Sequence, residues 1–311
     1  MSLLPSLTCL LTAAALLGCG ASQTQTMLIG DGPVVVPFTQ QGGHVVVDVF
    51  IDGQGPYLFQ VDTYASIDAC IDDDLAAELE LPVTGTTQNS DGLTISTRDL
   101  VTLGELRLGE ATFRDLTTLV DDYSWLGTRR GRPVQGLVGF TAFESLLVTF
   151  DYPGSRLVLE HGELSAQDAG VLAYSSRTGS PDVDLTLGEL PLLVGIDTGF
   201  DGTLLLQQEL AERLELASPP RKIGSARVAY TSFDLLEARL AEPVAFAGHS
   251  LPRLEVLFRE GATHNLMGRG ILQVFAVTFD QQHSLVRFAL PGATDADEQG
   301  DAGAEGPREA R

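Results

Sequence analysis

Cysteine, basic residues and long apolar runs are scarce in this chain. Three cysteines occur in 311 residues, Cys9, Cys19 and Cys70. The first two fall in a leader-like stretch, so only Cys70 is left for a folded part and no disulfide framework is expected. Cys70 stands among small and apolar residues, the setting of a buried core thiol rather than a nucleophile. Lysine and arginine number 19 against 42 aspartates and glutamates, a formal net charge of −23. So acidic a chain repels phosphate backbones, which argues against nucleic acid as a partner and for neutral or basic substrates. No internal apolar run approaches the roughly 18 residues that a membrane-spanning helix needs. The five histidines show no metal-ligand spacing, and there is no Gly-x-Ser-x-Gly elbow for a serine hydrolase. Neither a metal nor a cofactor is therefore expected. Hydrophobic residues at 44% and charged residues at 20% form an ordinary globular balance, so these absences do not signal disorder.

The first residues read as targeting rather than fold. Leu10 to Leu17 is a short apolar run followed by Gly18 and Cys19, the length of a signal-peptide core. Leu16-Leu17-Gly18-Cys19 resembles a bacterial lipobox, which makes residues 1–19 a signal peptide with Cys19 as the lipidated residue. The alternative is a plain cleaved signal, because Met1 to Cys9 contains no Lys or Arg. The lipobox implies a bacterial cell-envelope protein, lipid-anchored and periplasmic or surface-facing, with residues 20–33 as a tether. At the other end, residues 292–311 are rich in Asp, Glu, Ala and Gly, the composition of an acidic disordered tail.

What the chain does have is a repeat. DTYASIDACIDDDLAAELEL from Asp62 aligns without gaps with DTGFDGTLLLQQELAERLEL from Asp197. Each copy reads as an apolar strand, a turn, a short strand and an amphipathic helix, with Leu75 and Leu79, like Leu210 and Leu214, on one helical face. Farther on, GLVGFTAFESLLVTFD ending at Asp151 matches NLMGRGILQVFAVTFD ending at Asp280. Both hold two apolar residues and a glycine, a short helical turn, and Val-Thr-Phe-Asp opening a hairpin. Strand-like segments punctuated by Gly and Pro lie between. The order is the same in both halves. Two lobes follow, residues 34–161 and 173–291, joined by a linker over residues 162–172.

Each Asp-Thr turn ends an apolar strand, where a carboxylate has no packing reason to be. Phe59-Gln60-Val61 precedes Asp62 and Leu193-Val194-Gly195-Ile196 precedes Asp197. With Leu137-Val138-Gly139 and Leu266-Met267-Gly268 downstream, the chain resembles the pepsin/retropepsin superfamily of aspartic peptidases over most of residues 45 to 290. It looks most like bacterial members that carry both lobes in one chain. The resemblance implies an all-β dominated, two-lobed acid-protease fold with a short helix per lobe, and a monomer that is an internal pseudo-dimer. It implies that Asp62 and Asp197 face one another as the catalytic dyad, sharing a proton and a water that attacks a peptide or protein substrate. Thr63 and Thr198 match the threonines that tie the two loops together. Ser66 matches the hydroxyl that supports the first carboxylate.

Two positions depart from the pattern. Tyr64 stands where the motif has Gly, as Gly199 does in the second lobe, and a phenol there could tilt Asp62 or occupy the cleft. Asp201 stands where Ser or Thr is usual and would put a further acid near Asp197. Two readings follow: an aspartic endopeptidase, or a non-catalytic peptide-binding or envelope scaffold lipoprotein that keeps the fold. Asp72, Asp73 and Asp74 read as caps of a helix beginning near Leu75. Arg129-Arg130-Gly131-Arg132 reads as a solvated loop, and Tyr123 and Trp125 as packing or cleft lining. No equivalent of the family's flap tyrosine is identifiable.

Overall fold

The two halves of the repeat build two equivalent sheets. A computed structural model describes residues 26–40, 43–90, 95–129, 131–176, 179–227 and 232–291. The leader with Cys19, Arg130 and the acidic tail at 292–311 lie outside the described residues. In the first lobe the strand Gln54–Asp62 runs parallel to Arg132–Gly139. Arg132–Gly139 is antiparallel to Ala69–Asp72, which is parallel to Ala111–Asp121. The second lobe repeats each step: Leu190–Ile196 parallel to Asn265–Met267, Leu204–Gln207 antiparallel to the latter, and Glu255–Arg259 parallel to Leu204–Gln207. Parallel pairing of strands so far apart in sequence requires long crossovers. These crossovers carry the antiparallel hairpins Gly85–Ser90 with Ile95–Leu108 and Arg221–Arg227 with Ser232–Arg239. The result is strand-dominated and two-lobed, the pepsin/retropepsin-like fold, with one short α-helix in each lobe.

A third sheet joins the lobes. Its six strands run from Val171–Ala173 through Leu285–Ala289, Ala276–Asp280, Leu147–Asp151 and Arg156–Glu160 to Val34–Pro37. The two Val-Thr-Phe-Asp strands pair antiparallel at its centre, with Thr149 opposite Thr278. These are equivalent residues of the repeat, so the pseudo-two-fold axis passes between them, and their hydroxyls meet at 2.8 Å. Phe279 meets Phe140, Phe150 and Tyr174 edge to face, and Phe140 meets Tyr174 at a tilt. The buried core is therefore continuous from one lobe to the other. Burying large rings from both lobes in one cluster fixes their relative placement more firmly than a linker could.

Four local features differ from the sequence reading. Residues 26–28, expected within the tether, form a strand on Ala111–Asp121. The expected linker is tied down: the Leu164 N–H donates to Asp280 Oδ2 at 2.9 Å, and Val171–Ala173 pairs with Leu285–Ala289. The amphipathic helix forms as α-helix at Asp73–Glu78, but its second-lobe counterpart is the 3₁₀ turn Gln208–Glu212. Two carboxylates, Asp73 and Asp74, favour the first N-terminus, whereas Glu209 alone serves the second. Asp72 makes no cap; its Oδ2 accepts the Tyr123 N–H at 2.9 Å and holds the loop after Ala111–Asp121.

Candidate active site

The two Asp-Thr turns meet on the same axis that passes between Thr149 and Thr278. Asp62 ends its strand, and Asp197 follows Ile196 with its N–H donating to Met267 O at 2.9 Å. The threonines exchange two hydrogen bonds and donate one more each to the facing strand. The Thr198 hydroxyl accepts the Thr63 N–H at 3.0 Å and donates to Val61 O at 2.8 Å. The Thr63 hydroxyl accepts the Thr198 N–H at 3.1 Å and donates to Ile196 O at 2.7 Å. Both threonines are buried. Each hydroxyl thus donates once and accepts once, and a lost partner would leave buried polar groups unpaired.

The glycines of the downstream strands close each loop from behind. A Cβ on Gly139 would lie 1.9 Å from Ile67 O, and one on Gly268 would lie 2.3 Å from Phe200 O. The N–H groups nearby bond equivalent loop carbonyls: Gly139 to Asp68 and Phe140 to Ala65, Gly268 to Thr203 and Arg269 to Phe200. This close approach is why an apolar-apolar-Gly strand accompanies each Asp turn.

The carboxylates themselves sit in low-dielectric surroundings. Asp197 is buried and Asp62 half-buried. One Oδ1 accepts the Tyr64 N–H at 2.8 Å, and its counterpart accepts the Gly199 N–H at 2.7 Å. Burial raises both groups above the ordinary aspartate value, and the charge of Asp62 pushes Asp197 higher still. A pair of this kind keeps one proton under conditions in which lone aspartates are ionised. One carboxylate can take a proton from a bound water while the other gives a proton to a polarised oxygen.

Tyr64 does not plug this site. Its ring lies against Gly195 of the opposite lobe, where a Cβ would come within 2.2 Å of Tyr64 Cε2. The ring also meets His264 edge to face at 6.2 Å, and its carbonyl accepts the Ser180 hydroxyl at 3.0 Å. The mirror-related corner is built the other way round. Gly199, the counterpart of Tyr64, leaves room for Gln60, the counterpart of Gly195; a Cβ on Gly199 would lie 2.8 Å from Gln60 Nε2 and 2.5 Å from Asp62 Oδ2. Each corner therefore holds one large residue and one glycine. The large residue is at the motif position in one corner and two residues before the aspartate in the other.

Other expectations fall differently. Ser66 is exposed and its side chain lies against Gly179, so Asp62 takes its donors from Tyr64 N–H and Gln60 instead. Asp201 accepts from Arg269 Nε at 2.6 Å, and this partner offsets its charge. Cys70 is buried and pushed up to about 12 by desolvation, which keeps it a thiol. Tyr123 is buried with the Cys70 cluster and is packing; Trp125, its ring neighbour, is partly exposed. Arg129 and Arg132 form a two-stranded turn, and Arg132 pairs with Asp48. Strand patterning groups Gln60 with its apolar neighbours. Its signal was available: it is the one amide in the run Tyr57-Leu58-Phe59-Gln60-Val61.

The chain is similar to known proteins in part of its sequence and in its fold. Residues 47–142 match the aspartyl protease family. The soybean basic 7S globulin structure is similar in fold, with a TM-score of 0.51 at 12% identity, covering 84% of this chain and 95% of that one. A retropepsin-like aspartic protease from Rickettsia conorii matches at 19% identity with a TM-score of 0.29, over 44% of this chain and 94% of that one. No curated protein matches.

Proposed function

We propose that this chain, a member of the pepsin/retropepsin-like superfamily whose first lobe matches the aspartyl protease family, is an aspartic endopeptidase. The observation that carries the reading is the interlocked pair of Asp-Thr turns, with Asp197 buried and Asp62 half-buried beside it across the pseudo-two-fold axis. A carboxylate pair held this way suits hydrolysis of an amide by an activated water, without a metal or a covalent intermediate. Thr63 and Thr198 hold the loops in register, and Gly199 lets the second loop lie against Asp62. The substrate is a peptide or protein segment lying across the axis, and the chain is anchored to a bacterial envelope membrane through lipidated Cys19.

A second reading, a peptide-binding envelope lipoprotein without chemistry, draws on Tyr64 standing at the motif glycine. The seat of its ring against Gly195 favours the first reading, because the substituted side chain points into the lobe interface. The test is hydrolysis of a mixed peptide library by the soluble region from about pH 3 to pH 7, the range over which a shared-proton dyad operates. Cleavage that a statine-type inhibitor blocks is the expected result. A folded protein that binds peptides and cuts none supports the second reading.

A further inference from the structure

Gln60 and Gly195 occupy equivalent places two residues before the two aspartates, at the offset that relates Asp62 to Asp197. Gln60 is 3% exposed and flanked by Leu58, Phe59 and Val61. A buried primary amide is unfavourable there unless its polar atoms find partners. Its Nε2 stands 3.3 Å from Asp62 Oδ2. Opposite, Gly195 has no side chain to offer Asp197, and the corner holds the Tyr64 ring together with the buried Asp182 carboxylate, 3.1 Å from where a Gly195 Cβ would stand. The backbone donors to the two carboxylates are alike, Tyr64 N–H at 2.8 Å and Gly199 N–H at 2.7 Å. The amide of Gln60 adds a side-chain donor to the Asp62 carboxylate.

We infer that Gln60 is a positioning residue that holds Asp62 as the charged member of the pair and leaves the shared proton on Asp197. Its catalytic consequence rests on the peptidase reading. Water oxygen bonds to the peptide carbon as its proton passes to Asp62, and Asp197 gives its proton to the carbonyl oxygen. In the collapse the C–N bond breaks, the amine nitrogen takes the proton from Asp62, and a hydroxyl of the diol returns one to Asp197. The pair ends as it began, with water added across the amide.

The surroundings are consistent with this division of roles. Hydrogen bonding from Gln60 is among the influences that lower Asp62, while the charge of Asp62 raises Asp197. Tyr152 and Cys70 also face the pair, and burial raises both so that they stay neutral. His44 lies beside Gly199 and is lowered by burial, and the Asp201–Arg269 pair next to it offsets its own charges.

The test is carboxyl carbon NMR of aspartate-labelled protein, titrated with pH and assigned with Asp62→Asn and Asp197→Asn. The lower-titrating signal of the pair should vanish in Asp62→Asn. In Gln60→Met, which keeps length and loses the amide, that signal should move up by about one pH unit, the effect of a hydrogen bond to a charged group. The acid limb of kcat/KM should move the same way. Gln60→Asn, one methylene short, should shift it likewise if Met disturbs folding. A lower signal that belongs to Asp197, or a titration unchanged in a folded Gln60 variant, overturns the inference. Absent hydrolysis with the asymmetry intact would sink the peptidase reading alone.

Discussion

The two corners beside Asp62 and Asp197 solve one packing problem with opposite residues. In one, Gln60 is large and Gly199 small; in the other, Gly195 is small and Tyr64 large. The backbone around them is nearly symmetric, down to paired hydrogen bonds from Gly139 and Gly268 to equivalent carbonyls. Symmetry of the scaffold is thus kept while the side chains that fill it differ. A residue that breaks a motif at one position can be matched by a change at the facing one, so the motif has to be judged across the interface. The fold tolerates Tyr64 because Gly195 faces it.

The largest effect expected from breaking this arrangement is at the threonines. Thr63→Val leaves the Thr198 N–H and Ile196 O without their partner in a buried site. It should destabilise the protein by about 2–5 kcal/mol, the sum of two buried unpaired groups, read by denaturant unfolding. Next is Gly195→Ala, whose Cβ would press on the Tyr64 ring. A loss of about 1–3 kcal/mol is expected from overpacking, and Tyr64→Gly should relieve much of it in a double-mutant cycle. Additive losses would mean that the two positions do not share a corner. Tyr64→Gly alone should lower stability and bring no large gain in hydrolysis; a large gain would restore the idea of a plugged site.

A smaller effect separates the two aspartates by pH. The folded state raises both, so the stability they contribute is full below the ordinary aspartate value and is lost as pH rises through their folded values. Removing Asp197 as Asn should therefore raise stability relative to the parent increasingly as pH increases from acid to neutral. A difference independent of pH would contradict the burial argument. The smallest effect is at Thr149→Val, which takes one hydrogen bond from the buried Thr278 hydroxyl; about 1 kcal/mol is expected.

Much of this was legible in the sequence because duplication leaves a direct signal. The gapless match around Asp62 and Asp197 and the Val-Thr-Phe-Asp pair locate the two Asp-Thr loops, the lobe order and the strands that meet at the axis. The rest depended on contacts between segments that no local pattern encodes. Ser66 faces Gly179 and Asp201 faces Arg269 because of how the lobes and loops approach, not because of spacing along the chain. Gln60 was hidden for the complementary reason: strand periodicity groups it with apolar neighbours, and only the opposite loop shows what its amide meets. The difference between a helix at Asp73–Glu78 and a 3₁₀ turn at Gln208–Glu212 is of the same kind, since short helices depend on a few end charges and on packing.

The most direct test of the paired-loop account is cleavage of one peptide library by the parent, Asp62→Asn and Asp197→Asn side by side, each shown to be folded. The account predicts inhibitor-sensitive cleavage by the parent and a fall of about 10²–10⁴-fold in both variants, the usual loss when a positioned acid or base is removed. Parental activity in either folded variant would contradict a dyad shared across the axis.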